Sequence, residues 1–210
     1  MKNKIENISK KLNSKFYYDY DTSNNVWFRT GGSVSIYCLV YNLDELLIIL
    51  NEIKDYPFEI IGAGSNILIR DNGFDGILFK LGKGFNNIIK HDSLLEVGAG
   101  TLDFNLSKFA QIHNLKNFEF YSGIPGTIGG AVKMNAGSFG METSNVLKEI
   151  KLINMDGKLV NLSKKKIQFN YRETKLPKDS IIISATYHCK KGNKEEIQEK
   201  INYIKKIRES

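Results

Sequence analysis

The chain predicts an α+β (mixed α/β) fold in two lobes, and three observations carry that expectation. Its 210 residues, 41% of them hydrophobic, suffice to bury a substantial core in one domain or two small ones. Short apolar strands alternate with amphipathic helices from Trp27 onward. Glycine is concentrated unevenly: six of the 18 glycines fall in residues 121–140, "YSGIPGTIGGAVKMNAGSFG".

The elements follow in order. "NLDELLIILNEIKDY" opens with Asn42 and Glu45 at capping-box spacing, and Leu43, Leu46, Leu47, Leu50 and Ile53 share one helical face. "FEII" (58–61) reads as a short buried strand running into "GAGSN". "ILIRDNGFDGILFKL" reads as two strands around an Asn-Gly/Asp-Gly loop. "LLEVGAG" is a further strand, followed by a helix with Leu102, Leu106 and Phe109 inward. "EIKLINMDGKLVNL" predicts a hairpin turning at Asp156-Gly157. "SIIISATYHC" is a late strand. "NKEEIQEKINYIKKI" is a closing helix with Asn193 and Glu196 again at capping-box spacing. The lobe boundary is expected near Leu81–Phe85, dividing the chain into 1–82 and 83–210.

Composition excludes several classes of function. The formal charge is +7, but the lysines are scattered among Asp and Glu without an Arg-rich stripe, so no nucleic-acid partner is expected. Small anionic ligands such as phosphates suit that charge. No apolar run approaches the roughly 18–20 residues that span a bilayer, and the basic, polar start does not read as a secretory signal. Cys38 and Cys189 lack CxxC spacing and fit a reducing cytoplasm. His91, His113 and His188 stand apart from ligand-spaced Cys, Asp or Glu, so no metal is expected.

Chemistry points to the glycine-rich loops. In "IIGAGSNILI", a strand enters a tight turn whose main-chain N–H groups can cradle phosphate oxygens. It is neither a Rossmann fingerprint, since no third glycine follows Gly62 and Gly64, nor a P-loop. In "GIPGTIGGAV", Pro125 fixes φ beside Gly126, and a short helix starting near Thr127 would turn free N–H groups toward an anion. Two such loops in one small chain point to a ligand with a pyrophosphate centre held from both sides.

"WFRTGG", "GAGSNILIRD", "GIPGTIGGAVKMNAGSFG" and "FNYRETKLP", in this order, resemble the UDP-N-acetylenolpyruvoylglucosamine reductase family, also called UDP-N-acetylmuramate dehydrogenases. The resemblance runs from about Asn25 to the C-terminus, leaving residues 1–20 as an N-terminal extension. It implies the two-lobed FAD-binding domain of the vanillyl-alcohol-oxidase type. Gly62, Gly64, Ser65 and Asn66 would then contact the pyrophosphate. Gly123, Ile124, Pro125, Gly126, Thr127 and Gly130 would line the dinucleotide from the second lobe. Asn135, Ala136 and Gly137 would approach it near the isoalloxazine. The implied reaction is cytoplasmic and belongs to peptidoglycan synthesis: NADPH reduces the flavin, which then reduces UDP-N-acetylglucosamine enolpyruvate. Arg172 matches the family's arginine beside the substrate carboxylate, and Tyr171 its neighbouring pocket tyrosine.

The likeness also has gaps. Val26 stands where many members carry threonine. The family's third, substrate-binding lobe, with its "GSxFKNP"-like serine and late glutamate, has no counterpart in the sequence. Ser138 belongs to the flavin loop and is a poor proton donor. The expectation is therefore a chain impaired on its own: a fragment, a decayed frame, or half of a split enzyme whose lobe is a separate chain. Another flavin oxidase or dehydrogenase, or a non-catalytic flavin-binding protein, are the competing expectations.

Overall fold

The structure, a computed structural model, describes residues 2–54, 56–154 and 156–209. The chain opens with α1 (Lys2–Ser9), β1 (Lys15–Asp21), β2 (Ser33–Val40), α2 (Leu43–Glu52), β3 (Phe58–Ile61) and β4 (Phe74–Leu81). It continues through β5 (Ile88–His91), β6 (Leu94–Gly98), α3 (Asp103–Ile112), β7 (Leu115–Lys116), α4 (Ile128–Lys133), β8 (Gly137–Ser138), β9 (Met141–Glu142) and α5 (Thr143–Val146). The remainder is β10 (Leu147–Ile153), β11 (Leu159–Ser163), β12 (Gln168–Asn170), β13 (Glu173–Lys175), β14 (Ile181–His188), β15 (Lys190–Lys191) and α6 (Lys194–Glu209).

Two sheets organise these elements. The first has the order β1-β2-β4-β3, with β2, β3 and β4 mutually parallel and β1 antiparallel at the edge. The second, β11-β10-β14-β6-β5, is antiparallel throughout. Alternation on β2 and β4 turns Ile36, Cys38, Val40, Ile77 and Phe79 onto Leu46 and Ile49 of α2 and onto its C-cap Ile53. Leu95, Val97, Ile150, Leu152, Ala185 and Tyr187 of the second sheet join the same buried cluster. The two sheets thus share one continuous core.

Several expectations needed revision. Residues 67–70 are not a strand. β3 and β4 are parallel neighbours, so the chain between them must cross the sheet end, and a hairpin there would reverse β4. Asn42 does cap α2, its Oδ1 accepting from the Glu45 N–H at 2.9 Å. The Glu45 carboxylate does not complete the capping box; it turns away and accepts from the N–H groups of Asn13 and Ser14 and from their side chains. On α3 the inward stripe is Asp103, Leu106, Ser107 and Ala110, while Leu102 is the exposed N-cap. Residues 4–21 are integral to the fold: Ile5 is fully buried and β1 pairs along β2. The hairpin of β10 and β11 turns at Gly157, φ +72°, and α6 begins with the Asn193 side chain accepting from the Glu196 N–H.

Candidate functional site

A cleft of about 770 Å3 opens at the carboxyl ends of the parallel strands β2, β3 and β4, faced by the second sheet and α4. This is where open parallel sheets generally receive ligands. Gly62 leaves β3 at the cleft's edge. A Cβ on Gly62 would stand 2.5 Å from Thr127 Oγ1, so here the two glycine-rich loops pack directly against each other. Main-chain N–H groups of Ala63, Gly64, Ser65 and Asn66 donate to no other described residue. Four such donors beside a large cleft can receive anionic oxygens.

Gly64 serves a different purpose. Its φ is +75°, and a Cβ there would lie 1.9 Å from the Asn25 carbonyl oxygen. The Trp27 N–H donates to its carbonyl at 3.0 Å, tying the "WFRTGG" segment to this loop. Ser65 and Asn66 flank the cleft without lining it.

The second loop differs from expectation both in its amides and in which of its residues reach the cleft. α4 does begin after Thr127, but its leading amides are already engaged: Ile128 N–H donates to Thr101 and Gly129 N–H to Ala99, at 2.9 and 2.8 Å. The helix start is therefore docked on the β6–α3 turn, and its first donors are not available to an anion. Thr127 and Gly130 line the cleft, together with Gly129. Gly126 is bare because a Cβ would meet Asp103 Oδ2 at 2.6 Å, and Gly123 because one would meet Ile204 of α6 at 2.8 Å. Ile124 packs on the core and Pro125 is exposed, neither lining the cleft.

A second cavity, about 380 Å3, gathers Asn135, Gly137, Tyr171 and Arg172 with Glu142 and Asn145. Two motifs distant in sequence are joined here. Asn135, at φ +40°, donates through Nδ2 to the Asn170 carbonyl at 3.3 Å and accepts from the Ser144 N–H at 3.0 Å. Arg172 tips the β12–β13 turn at φ +57° and donates to the Gly137 carbonyl at 3.0 Å. Its guanidinium carbon lies 5.5 Å from the Tyr171 ring centroid. Ala136 is buried behind them, its carbonyl accepting from both the N–H and Oγ1 of Thr143 at 2.9 Å. Ser138 Oγ is committed to the Phe120 carbonyl.

Sequence reasoning passed over three sets of residues. Glu142 faces Arg172 across the smaller cavity, and hydrogen bonds from Ser144 and Asn135, then the charges of Lys164 and Arg172, hold its carboxyl below the usual range. Lys80, Lys83 and Lys133 line the larger cleft. No periodicity singles out these lysines, because only the tertiary fold brings them to one opening. Asp103 was also missed: fully buried at the start of α3, it has neither carboxyl oxygen hydrogen-bonded, and burial pushes its pKa well up. Among the described residues there is no cluster suited to a metal ion, and no helix is long and apolar enough to cross a membrane.

Comparison with known proteins bears on this geometry. Residues 34–163 match the family described as an FAD binding domain. The UDP-N-acetylenolpyruvoylglucosamine reductase of Rickettsia conorii is 39% identical over 200 residues, which cover 95% of this chain and 68% of that protein. Its counterpart in Pelagibacter ubique is 40% identical over 204 residues, covering 96% of this chain and 68% of the relative. The crystal structure of the Thermus caldophilus UDP-N-acetylenolpyruvylglucosamine reductase superposes with a TM-score of 0.80 at 27% identity, covering 94% of this chain and 70% of that one.

Proposed function

The chain belongs to the UDP-N-acetylenolpyruvoylglucosamine reductase family, with an FAD-binding domain over residues 34–163, and on that premise we propose that it serves the FAD-dependent reduction of UDP-N-acetylglucosamine enolpyruvate, with NADPH as hydride donor, in peptidoglycan synthesis. The observation that carries the reading is the convergence of the two glycine-rich loops, Gly62 against Thr127, on the wall of a cleft of about 770 Å3. A dinucleotide fits what the residues offer: a volume in the range of cofactor sites, two glycine-bearing segments that line it at Gly62 and Gly129–Gly130, and a run of four uncommitted N–H donors that begins at Ala63 on its wall.

In this reading residues 1–82 and 83–210 act as two lobes that hold the dinucleotide between them. The amides of the Gly62–Asn66 loop take the diphosphate, Thr127 and Gly130 close it from the other side, and Asn135, Ala136 and Gly137 lie beside the redox-active ring. Gly64, Gly123, Ile124, Pro125 and Gly126 shape the loops behind those contacts. When bound, FAD supplies the carrier of two electrons between a nicotinamide donor and the enolpyruvyl acceptor. Arg172 presents a fixed cation to the substrate carboxylate, where negative charge grows as the double bond is reduced. The Gly137 carbonyl orients its guanidinium, and Tyr171 walls the pocket. Buried, unpaired Cys38 and Cys189 suit a reducing cytoplasm.

We also propose that these 210 residues alone turn over poorly. Tyr171 is 87% exposed, and a reaction centre open to water forfeits much of its electrostatic stabilisation. The same exposure favours the second reading, a flavin-binding subunit completed by a separate chain. The test is direct. The purified protein should show flavin absorbance, or acquire it with FAD, and should be bleached by NADPH under anaerobic conditions. A colourless protein that FAD cannot reconstitute overturns the flavin reading. NADPH oxidation driven by the enolpyruvyl substrate at the rate of the full-length relatives would overturn the claim of impairment.

A further inference from the structure

We propose that Lys80 is the countercharge for the diphosphate bridge of the dinucleotide in the larger cleft, an inference that rests on the FAD reading above. β4 is otherwise apolar near this point: Ile77, Leu78, Phe79 and Leu81 are buried, and a valine or isoleucine at position 80 would suit the strand equally well. Lys80 instead places an ammonium where the strand register sets it opposite Leu39 of β2 and Ile61 of β3. That row ends the β3–β4 ladder, one row before the last β2–β4 pair, Val40 with Leu81, and Ile61 is the residue from which the Gly62 loop departs. Lys80 therefore lines the cleft beside the uncommitted amides.

Its surroundings make the charge conspicuous. Lys80 is partly buried, and burial lowers the pKa of its amine. Among the described residues its Nζ has no ion pair and no hydrogen bond. The carboxylates lining the cleft, Glu59 and Asp179, are both exposed, and Asp179 lies 3.9 Å from Lys178. A partly desolvated cation with no partner is unfavourable unless an anion completes it. A diphosphate is the one part of a flavin dinucleotide that does so. The loop amides offer only partial charges, while Lys80 supplies a full one from the neighbouring strand. Lys83 and Lys133 line the same cleft but are exposed, where water screens them.

The experiment titrates the 210-residue chain, stripped of nucleotide, with FAD, riboflavin and NADPH, comparing wild type with Lys80→Met and Lys83→Met. Lys80→Met should weaken FAD binding about 10–100-fold, the range of a charge-assisted contact, and leave riboflavin unchanged because it lacks phosphate. Lys83→Met should change FAD affinity by no more than about threefold. Without ligand, Lys80→Met should melt at or above the wild-type temperature, since it removes an unpaired charge; a merely structural lysine would lower both melting temperature and affinity. Equal loss of FAD and riboflavin, equal loss in both variants, or unchanged FAD affinity would each overturn the role of Lys80 while leaving the flavin site standing. A selective loss of NADPH binding would assign the diphosphate to the nicotinamide nucleotide and overturn the flavin assignment of Lys80. If the wild type binds neither flavin, the underlying reading fails first.

Discussion

Single residues separate two reasons for a missing side chain. At Gly64 the reason is the chain itself, because a Cβ would lie 1.9 Å from the Asn25 carbonyl at a φ of +75°. Gly64→Ala should therefore cost about 2–5 kcal/mol, combining left-handed strain with overpacking against backbone, as urea unfolding would show. At Gly62 the nearest atom is Oγ1 of buried Thr127, which yields only by turning a β-branched side chain. Gly62→Ala should cost less than Gly64→Ala, about 1–3 kcal/mol of overpacking without left-handed strain, while weakening FAD about tenfold or more, read by flavin titration. Asp103 makes a different prediction. Burial raises its folded pKa above the unfolded value, so its contribution to stability is fully present below about pH 4 and is lost as pH rises through the raised pKa. Asp103→Asn should thus raise the melting temperature at pH 8, by about 2–4 °C per kcal/mol for a chain of this size, and give no gain near pH 4. A larger gain at acid pH would contradict the assignment. The sequence marked these glycines as a group but could not sort them, because Asn25, Ile204 and Asp103 reach Gly64, Gly123 and Gly126 only in the folded chain.

Among the elements, local rules served where partners are close in sequence and failed where they are distant. Asn42 capping α2 and Asn193 capping α6 involve residues three positions apart, and both caps are present. The Glu45 carboxylate was assigned to the same local motif, yet its partners come from Asn13 and Ser14, 32 and 31 positions away. Ser14 Oγ in turn accepts from the Tyr41 N–H at 2.9 Å, so Glu45 anchors the α1–β1 connection against α2. Glu45→Ala leaves those buried donors unsatisfied and should destabilise by about 1–3 kcal/mol, with hydrogen exchange accelerated first in residues 2–21. Uniform acceleration across both sheets would point to a different role. The short β12–β13 hairpin shows the same division: "NYRE" was legible as a site motif, but its attachment through Asn135 and Gly137 was not.

At the scale of the molecule, both sheets feed one large buried cluster running from Ile5 to Cys189, with a smaller one of Val26, Val34, Tyr37, Ile61, Ile69 and Leu78 beside it, so the chain is expected to unfold as one unit. Thermal unfolding followed by far-UV circular dichroism and by Trp27 fluorescence should give coincident transitions. Two resolved transitions would show that 1–82 and 83–210 are energetically separate lobes. Ligand linkage should appear at the same scale. FAD at 100 times its dissociation constant should add about 2.7 kcal/mol to stability, and a melting temperature indifferent to FAD would count against the cleft as its site.

By itself the sequence determined α2, β3, β4, β6, α3, the β10–β11 hairpin, β14 and α6, the caps, the two glycine-rich loops and the family likeness, because each is written in residues a few positions apart; α1, β1, β2 and β5 were not read from it. Tertiary structure alone decided which glycines face a cleft and which face the chain's own backbone. It also decided that α4's leading amides are taken, and that Lys80, Gly62 and Thr127 share one opening. Those relations depend on strand order and sheet packing, which bring together residues that no local spacing connects.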